Sequence, residues 1–339
     1  MIDLNPFPEY LADPKFVHAL HVPGLELTQE KTEIAGLPLR RLRWVEWMVL
    51  EHGATAEALL DEFQDGLHSF ALIDRRDFGG GDAEAEALAS SDVAMLRRVV
   101  SAMRLVKPGA LLDPEGSMRY ERRGPENRRT PGRFGRQMFE PEYARKYVLG
   151  DTDAVAARAI AANLVHPEVS EERTIQLAVR HFDASYNHAL DVEERLLHLF
   201  TSLEATFGEY KKHARPVPGA TLGKSAAILW PSATRRSIAD FLDDKTQARG
   251  LRNAVAHGDF GGRTPAQVDA DIERLREVLR VGLRTLLRLS ARRLSLVAAL
   301  GSISTGLGAL PPKAAFQHVL GHAAKGSAAA QHLLAALSK

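Results

Sequence analysis

Residues 174–208 read TIQLAVRHFDASYNHALDVEERLLHLFTSLEATFG, and the spacing of their apolar side chains decides the fold class. Ile175, Ala178, Phe182, Ser185 and Tyr186 recur at intervals of three and four, which puts them on one face of a helix. Asp191 then reads as an N-cap, and Glu194 three residues later completes a capping box. A second helix follows, with Leu196, Phe200, Leu203 and Phe207 as its buried stripe and an end near Gly208. Two successive helices, each with one apolar face, predict a helical bundle.

Toward the C-terminus the same reading continues. Pro216, Pro218 and Gly219 break the chain, Ala220 to Trp230 reads as helix, and Pro231 interrupts before a run from Ser232 toward His257. Thr264 followed by Pro265 starts a long helix. Its apolar side carries Val268, Ile272, Leu275, Leu279, Leu283, Leu286 and Leu287. On the same helix Arg276, Arg280, Arg284, Arg288 and Arg292 recur every four residues, which predicts a slowly drifting surface row. Such a row either tracks a phosphate backbone or is a solvated face. The alanine-rich tail after Pro312 predicts one or two small helices.

Toward the N-terminus the pattern changes. Leu39 to Leu50 and Ser69 to Ile73 look like strands, Thr55 to Phe63 like a helix, and Asp77 to Asp82 like a loop. Ala83 to Val106 is helical, and Lys107-Pro108-Gly109 ends it. Asp113 to Pro141 reads as a basic loop, with seven arginines against Glu121 and Glu126 between Arg119 and Arg136, and with Tyr120 and Phe134 beside them. It is either a phosphate contact with aromatic stacking or a solvated connection. The expected fold is mainly α: an N-terminal α+β region over residues 1–150, a helical domain over 151–300 and a helical tail over 301–339.

Composition narrows the function classes. The chain has 339 residues, 45% of them hydrophobic, and a formal net charge of +1, so anion binding must come from local patches. It has no cysteine, which excludes disulfides, thiolate nucleophiles and cysteine zinc sites. MIDLNPFPEYLADPKF lacks the basic and apolar regions of a signal peptide, and Arg284, Arg288, Arg292 and Arg293 interrupt the most apolar C-terminal run. The expectation is a cytoplasmic protein without a membrane span.

The chemistry-bearing stretch is GLRNAVAHGDF, Gly250 to Phe260. Asn253 and His257 are four residues apart and share a helix face; Arg252 lies about 140° around the helix from His257. Gly258 should stop the helix and leave His257 in its last turn. Metal-free RNA cleavage needs a base for the 2'-hydroxyl, a cation for the pentavalent phosphorus and an acid for the leaving oxygen. Histidine, arginine and asparagine can supply these roles, although an arginine and a histidine at this spacing also occur by chance on many surfaces.

RNAVAHG, preceded by AVRHFDASY, the LEA-F segment in SLEATFGEY, and KSAAILW, in that order over Thr174 to Gly258, resembles the HEPN superfamily and more narrowly its Apea-like branch. SAMRLVKPGALLDP, Ser101 to Pro114, is similar to a segment found upstream of that domain in longer members. The resemblance covers residues 151–300 best and the tail not at all. It implies an all-α domain that dimerises so that two motif helices face each other and form one composite metal-independent RNase site. Arg252 and His257 would be the catalytic pair and Asn253 the polar residue that positions the site. Glu204 would contact Arg252 or be an ordinary surface or capping glutamate. Lys211, Lys212 and His213 could hold phosphate or be solvent-exposed, and Arg249 could act as a second cation. Arg276, Arg280 and Arg284 are further RNA-binding candidates. Gly250 and Leu251 stand before Arg252 where many relatives carry an aromatic, a departure that bears on how the motif helix packs.

The expected function is therefore an RNA-cleaving homodimer in phage defence, toxin action or stress response, with the N-terminal region as its regulator and no cofactor. A non-catalytic HEPN scaffold that binds RNA or protein is the alternative. A metal hydrolase is disfavoured. His318 and His322 have helical ligand spacing but lack the glutamate of HExxH, and His181 and His188 are too far apart along a helix to share an ion. Gly79-Gly80-Gly81 lacks the lysine of a phosphate loop.

Overall fold

The computed structural model describes residues 16–43, 67–74, 81–109, 111, 117–123, 126–130, 146–187, 189–208, 223, 225–243, 247–256, 260, 262–291 and 312–338. The expected helix at Thr55 to Phe63 lies outside them, as do Lys211, Lys212, His213, His257, Gly258 and Arg292. The described chain is mainly helical with a strand region near its start, and it divides into two compact units. One contains Met1–Met103 and Gly109–Arg158; the other contains Arg104–Pro108 and Ala159–Lys339.

The first unit is built on a six-stranded antiparallel sheet in the order β3-β4-β5-β1-β6-β7. Its strands are β1 (Phe16–His21), β3 (Lys31–Ile34), β4 (Leu37–Arg43), β5 (Leu67–Asp74), β6 (Ser117–Arg123) and β7 (Glu126–Thr130). β3 and β4 join through Ala35 and Gly36, both at positive φ, the geometry that suits a two-residue hairpin. The strands β2 (Leu25–Leu27) and β8 (Tyr147–Leu149) pair in parallel as a small second sheet. Helix α1 (Asp82–Val106) connects β5 to β6, and its Asp92 meets His18 of β1 at 3.0 Å with both side chains buried. Tyr147 donates to the Met103 carbonyl at 2.8 Å and lies where a Cβ on Gly109 would clash, which fixes glycine there.

One expectation is corrected in this unit. Within the Asp113 to Pro141 segment, read as a basic loop, residues 117–123 and 126–130 form the paired strands β6 and β7, with Arg119 opposite Thr130 and Arg123 opposite Glu126. Backbone pairing to β1 outweighs the poor strand composition, and a strand rich in arginine is tolerated at a sheet edge because its charges discourage further pairing.

The second unit is a helical bundle. It takes in the end of α2 (Asp151–Leu164), followed by α3 (Pro167–Ser170), α4 (Arg173–Ala184), α5 (Val192–Phe207), α6 (Ser232–Asp243), α7 (Ala248–Ala256), α8 (Pro265–Ala291), α9 (Pro312–Ala324) and α10 (Ala328–Ser338). The sequence pattern explains the α4–α5 pair directly. Ile175, Ala178, Phe182, Ser185 and Tyr186 are all buried, as are Leu196, Leu203 and Phe207. The Asp191 side chain accepts the Glu194 amide at 2.7 Å, the N-cap that the sequence predicts. Helix α8 is the central element, packing on α3, α4, α5, α9 and α10. Gly282 makes its approach to α5 possible, because a Cβ there would run into the Phe207 ring. The tail helices α9 and α10 pack on α8, and Arg288 donates to the Leu337 carbonyl at 2.7 Å.

Candidate functional site

The motif arginine sits on α7, a helix of nine residues, ARGLRNAVA. Ala248, Leu251 and Val255 are its buried side, so α7 is seated against α5 and α6 by small and branched apolar side chains. That seating turns Arg252 toward a half-exposed position and leaves Asn253 exposed. Arg249 lies on the same helix, with its side chain outside what the structure describes.

Arg252 is joined to Glu204 of α5 through its Nη2. The two expectations for Glu204 were a contact with Arg252 or an ordinary surface or capping role; the structure has the contact. The glutamate is held from below, because Ser202, Leu203, Ala205 and Thr206 around it are buried. Its Oε1 is enclosed and meets Arg252 as an ion pair without the alignment of a hydrogen bond. Both side chains remain about one third exposed, 37% for Arg252 and 36% for Glu204, so water screens the pair and it contributes little to stability. Its consequence is positional: the guanidinium fork is held at the surface beside a carboxylate.

Two further arginines, not singled out in the sequence, hold the surroundings of the motif segment. Arg263 donates to the Gln247 carbonyl at 2.8 Å, just before α7, and to the Phe260 carbonyl at 3.4 Å, at the last residue of the Gly250 to Phe260 stretch. It also pairs with Asp271 of α8 at 3.3 Å. Burial pushes the Asp271 carboxyl up, against the pull of Arg263 and Arg274. Arg274 lies over the Phe241 ring at 4.1 Å and donates to Ser237 of α6. In the sequence Arg263 stands just before the Thr264-Pro265 start and Arg274 on the helix that follows, but position alone does not say which groups they reach.

The expected surface row of arginines on α8 is the main correction. Arg276 and Arg280 are buried, 5% and 1% exposed. Arg276 lies over the Tyr186 ring at 4.0 Å and bonds Ser185 and Glu273. Arg280 donates to the Arg104 carbonyl at 2.9 Å, to the Tyr186 hydroxyl at 3.3 Å and to Glu277. Arg104 covers the other side of the cluster, over Tyr186 at 4.6 Å and 3.4 Å from Asp183. Guanidinium groups enclosed in this way are not available to a phosphate backbone. The reason is that α8 is buried at most positions from Leu275 to Ser290, and the stripe left exposed or half-buried runs through Glu277, Val281, Arg284 and Arg288, to one side of Arg276 and Arg280. Arg284 is half-buried, donates to the Val106 carbonyl at 3.4 Å, and has its pKa pushed down by burial.

Other histidines form pairs. His181 and His198 meet at 2.7 Å, and the rings of His318 and His322 have centroids 4.5 Å apart. Among the described residues no group of three or more metal-ligating side chains occurs, and no helix is long and apolar enough to cross a membrane. No family model, curated protein or solved structure matches the chain.

Proposed function

We propose that the chain is a metal-independent endoribonuclease of HEPN type whose site is built on the α7 helix and completed by a second copy. The observation that carries this reading is the seating of Arg252: a helix-borne guanidinium, half-exposed, held by Glu204 from a neighbouring helix, one residue before an exposed Asn253. In sequence His257 follows four residues after Asn253.

In the proposed reaction His257 takes the proton of the 2'-hydroxyl or gives one to the leaving 5'-oxygen, the two tasks being divided between copies. Arg252 offers its fork to the phosphate as charge builds on its oxygens. Glu204 keeps that fork oriented, and Asn253 positions the phosphate or the histidine. The products are a 2',3'-cyclic phosphate and a free 5'-hydroxyl. The strand-bearing first unit acts as regulator, and the setting is cytoplasmic, in phage defence, toxin action or stress response. The test compares cleavage of labelled single-stranded RNA by wild type, Arg252→Ala and His257→Ala. Both substitutions are expected to abolish cleavage with unchanged circular dichroism. Equal cleavage by all three proteins would remove the reading; salt-dependent RNA binding without cleavage by any of them would turn it to a non-catalytic scaffold.

A further inference from the structure

His181 of α4 and His198 of α5 face each other Nδ1 to Nδ1 at 2.7 Å, with ring planes tilted by 44° and centroids 4.9 Å apart. Two imidazole nitrogens this close need one proton between them, because one must donate while the other accepts. A second proton has no place on that line. Both side chains are half-buried.

Two neutral imidazoles with converging nitrogens are a ligand set for a late first-row transition-metal ion. Metal–nitrogen bonds of about 2.0–2.1 Å put two nitrogens roughly 2.9 Å apart at a right-angled metal and roughly 3.4 Å apart at a tetrahedral one. The observed 2.7 Å is the length of the hydrogen bond that the two rings share, so an ion would displace that proton and part the nitrogens slightly, and the affinity order of the divalent ions favours copper(II). We propose that His181 and His198 form a two-imidazole site for copper(II) or nickel(II), water completing the coordination, which ties α4 to α5. The site is structural and independent of the nuclease reading. The absence of a third ligand among the described residues, and the nearby Arg180, set a modest affinity.

The other pair is the less suitable one. His318 and His322 have chelating spacing on α9, but Nε2 of His318 is enclosed and has no hydrogen-bond partner, so a hydrated ion cannot reach it. Lys325 adds a further repelling charge.

The experiment uses the full chain, stripped with chelator, and titrates copper(II), nickel(II) and zinc(II) by calorimetry and thermal melting at pH 7.5. Copper is expected to bind most tightly and to raise Tm. His181→Asn and His198→Asn should each weaken copper binding roughly tenfold or more, while His318→Asn/His322→Asn leaves it unchanged. Electron paramagnetic resonance of the wild-type copper complex should show coupling to two imidazole nitrogens, a readout that needs no variant to fold. Copper affinity unchanged in His181→Asn and His198→Asn, loss only in the His318→Asn/His322→Asn protein, or no copper binding by the wild type would each overturn the proposal.

Discussion

An arginine's role is set by what takes its five donors, and this chain holds both extremes. Arg280 gives its donors to a backbone carbonyl, a tyrosine hydroxyl and a carboxylate inside the second unit. Arg280→Ala should lower unfolding free energy by about 3 kcal/mol, since the Arg104 carbonyl and Tyr186 hydroxyl lose a partner in a buried setting. Arg280→Lys should recover little of it, because an ammonium cannot reproduce the fork; urea denaturation measures both. Arg252, half-exposed beside Glu204, should behave in the opposite way. Arg252→Lys is expected to leave stability within about 0.5 kcal/mol and to reduce RNA cleavage about 100-fold or more. A variant that lost stability but kept cleavage would mark Arg252 as structural. Both arginines look alike in the sequence, where periodicity cannot separate a buried polar stripe from a solvated one. The motif spacing did single out Arg252, and the Glu204 contact was among its stated alternatives.

Helices α4 and α5 were legible because local rules agree there: apolar spacing, the Asp191 cap and the Gly208 end point the same way. Asp191→Ala should cost about 1 kcal/mol, measured by thermal melting. The β6–β7 hairpin was not legible, because its pairing is decided by β1, about a hundred residues earlier in the chain. Close helix approach was equally hidden. Glycine inside α8 reads as a weak point in a helix, yet Gly282 is where the Phe207 ring lies against the backbone. Gly282→Ala should therefore destabilise the protein by about 1–3 kcal/mol despite alanine's better helix propensity. A gain in stability would show that the ring can move aside.

Across the whole molecule, acid should act first through histidine. His181 and His318 have pKa values lowered mainly by burial, so the unfolded chain binds their protons more readily. Their contribution is complete above the unfolded value of about 6.5 and is lost as pH falls below it. Asp271 acts with the opposite sign: its carboxyl is raised by burial, so its proton is bound more tightly in the fold and its contribution improves as pH drops into the acid range. Melting temperature should thus fall as pH drops below about 6.5, and His181→Asn should flatten that fall. The net charge of +1 offered no guide to this, since the effect comes from enclosure of individual groups. The sequence changes from mixed to helical patterning near residue 150, and the proposed activity depends on one short segment beyond that change. The most direct test of that activity is incubation of the purified protein with single-stranded RNA in excess EDTA, followed by analysis of the 3' ends. The account predicts 2',3'-cyclic phosphate ends from wild type and none from Arg252→Ala or His257→Ala; cleavage that requires added metal, or that survives both substitutions, would contradict it.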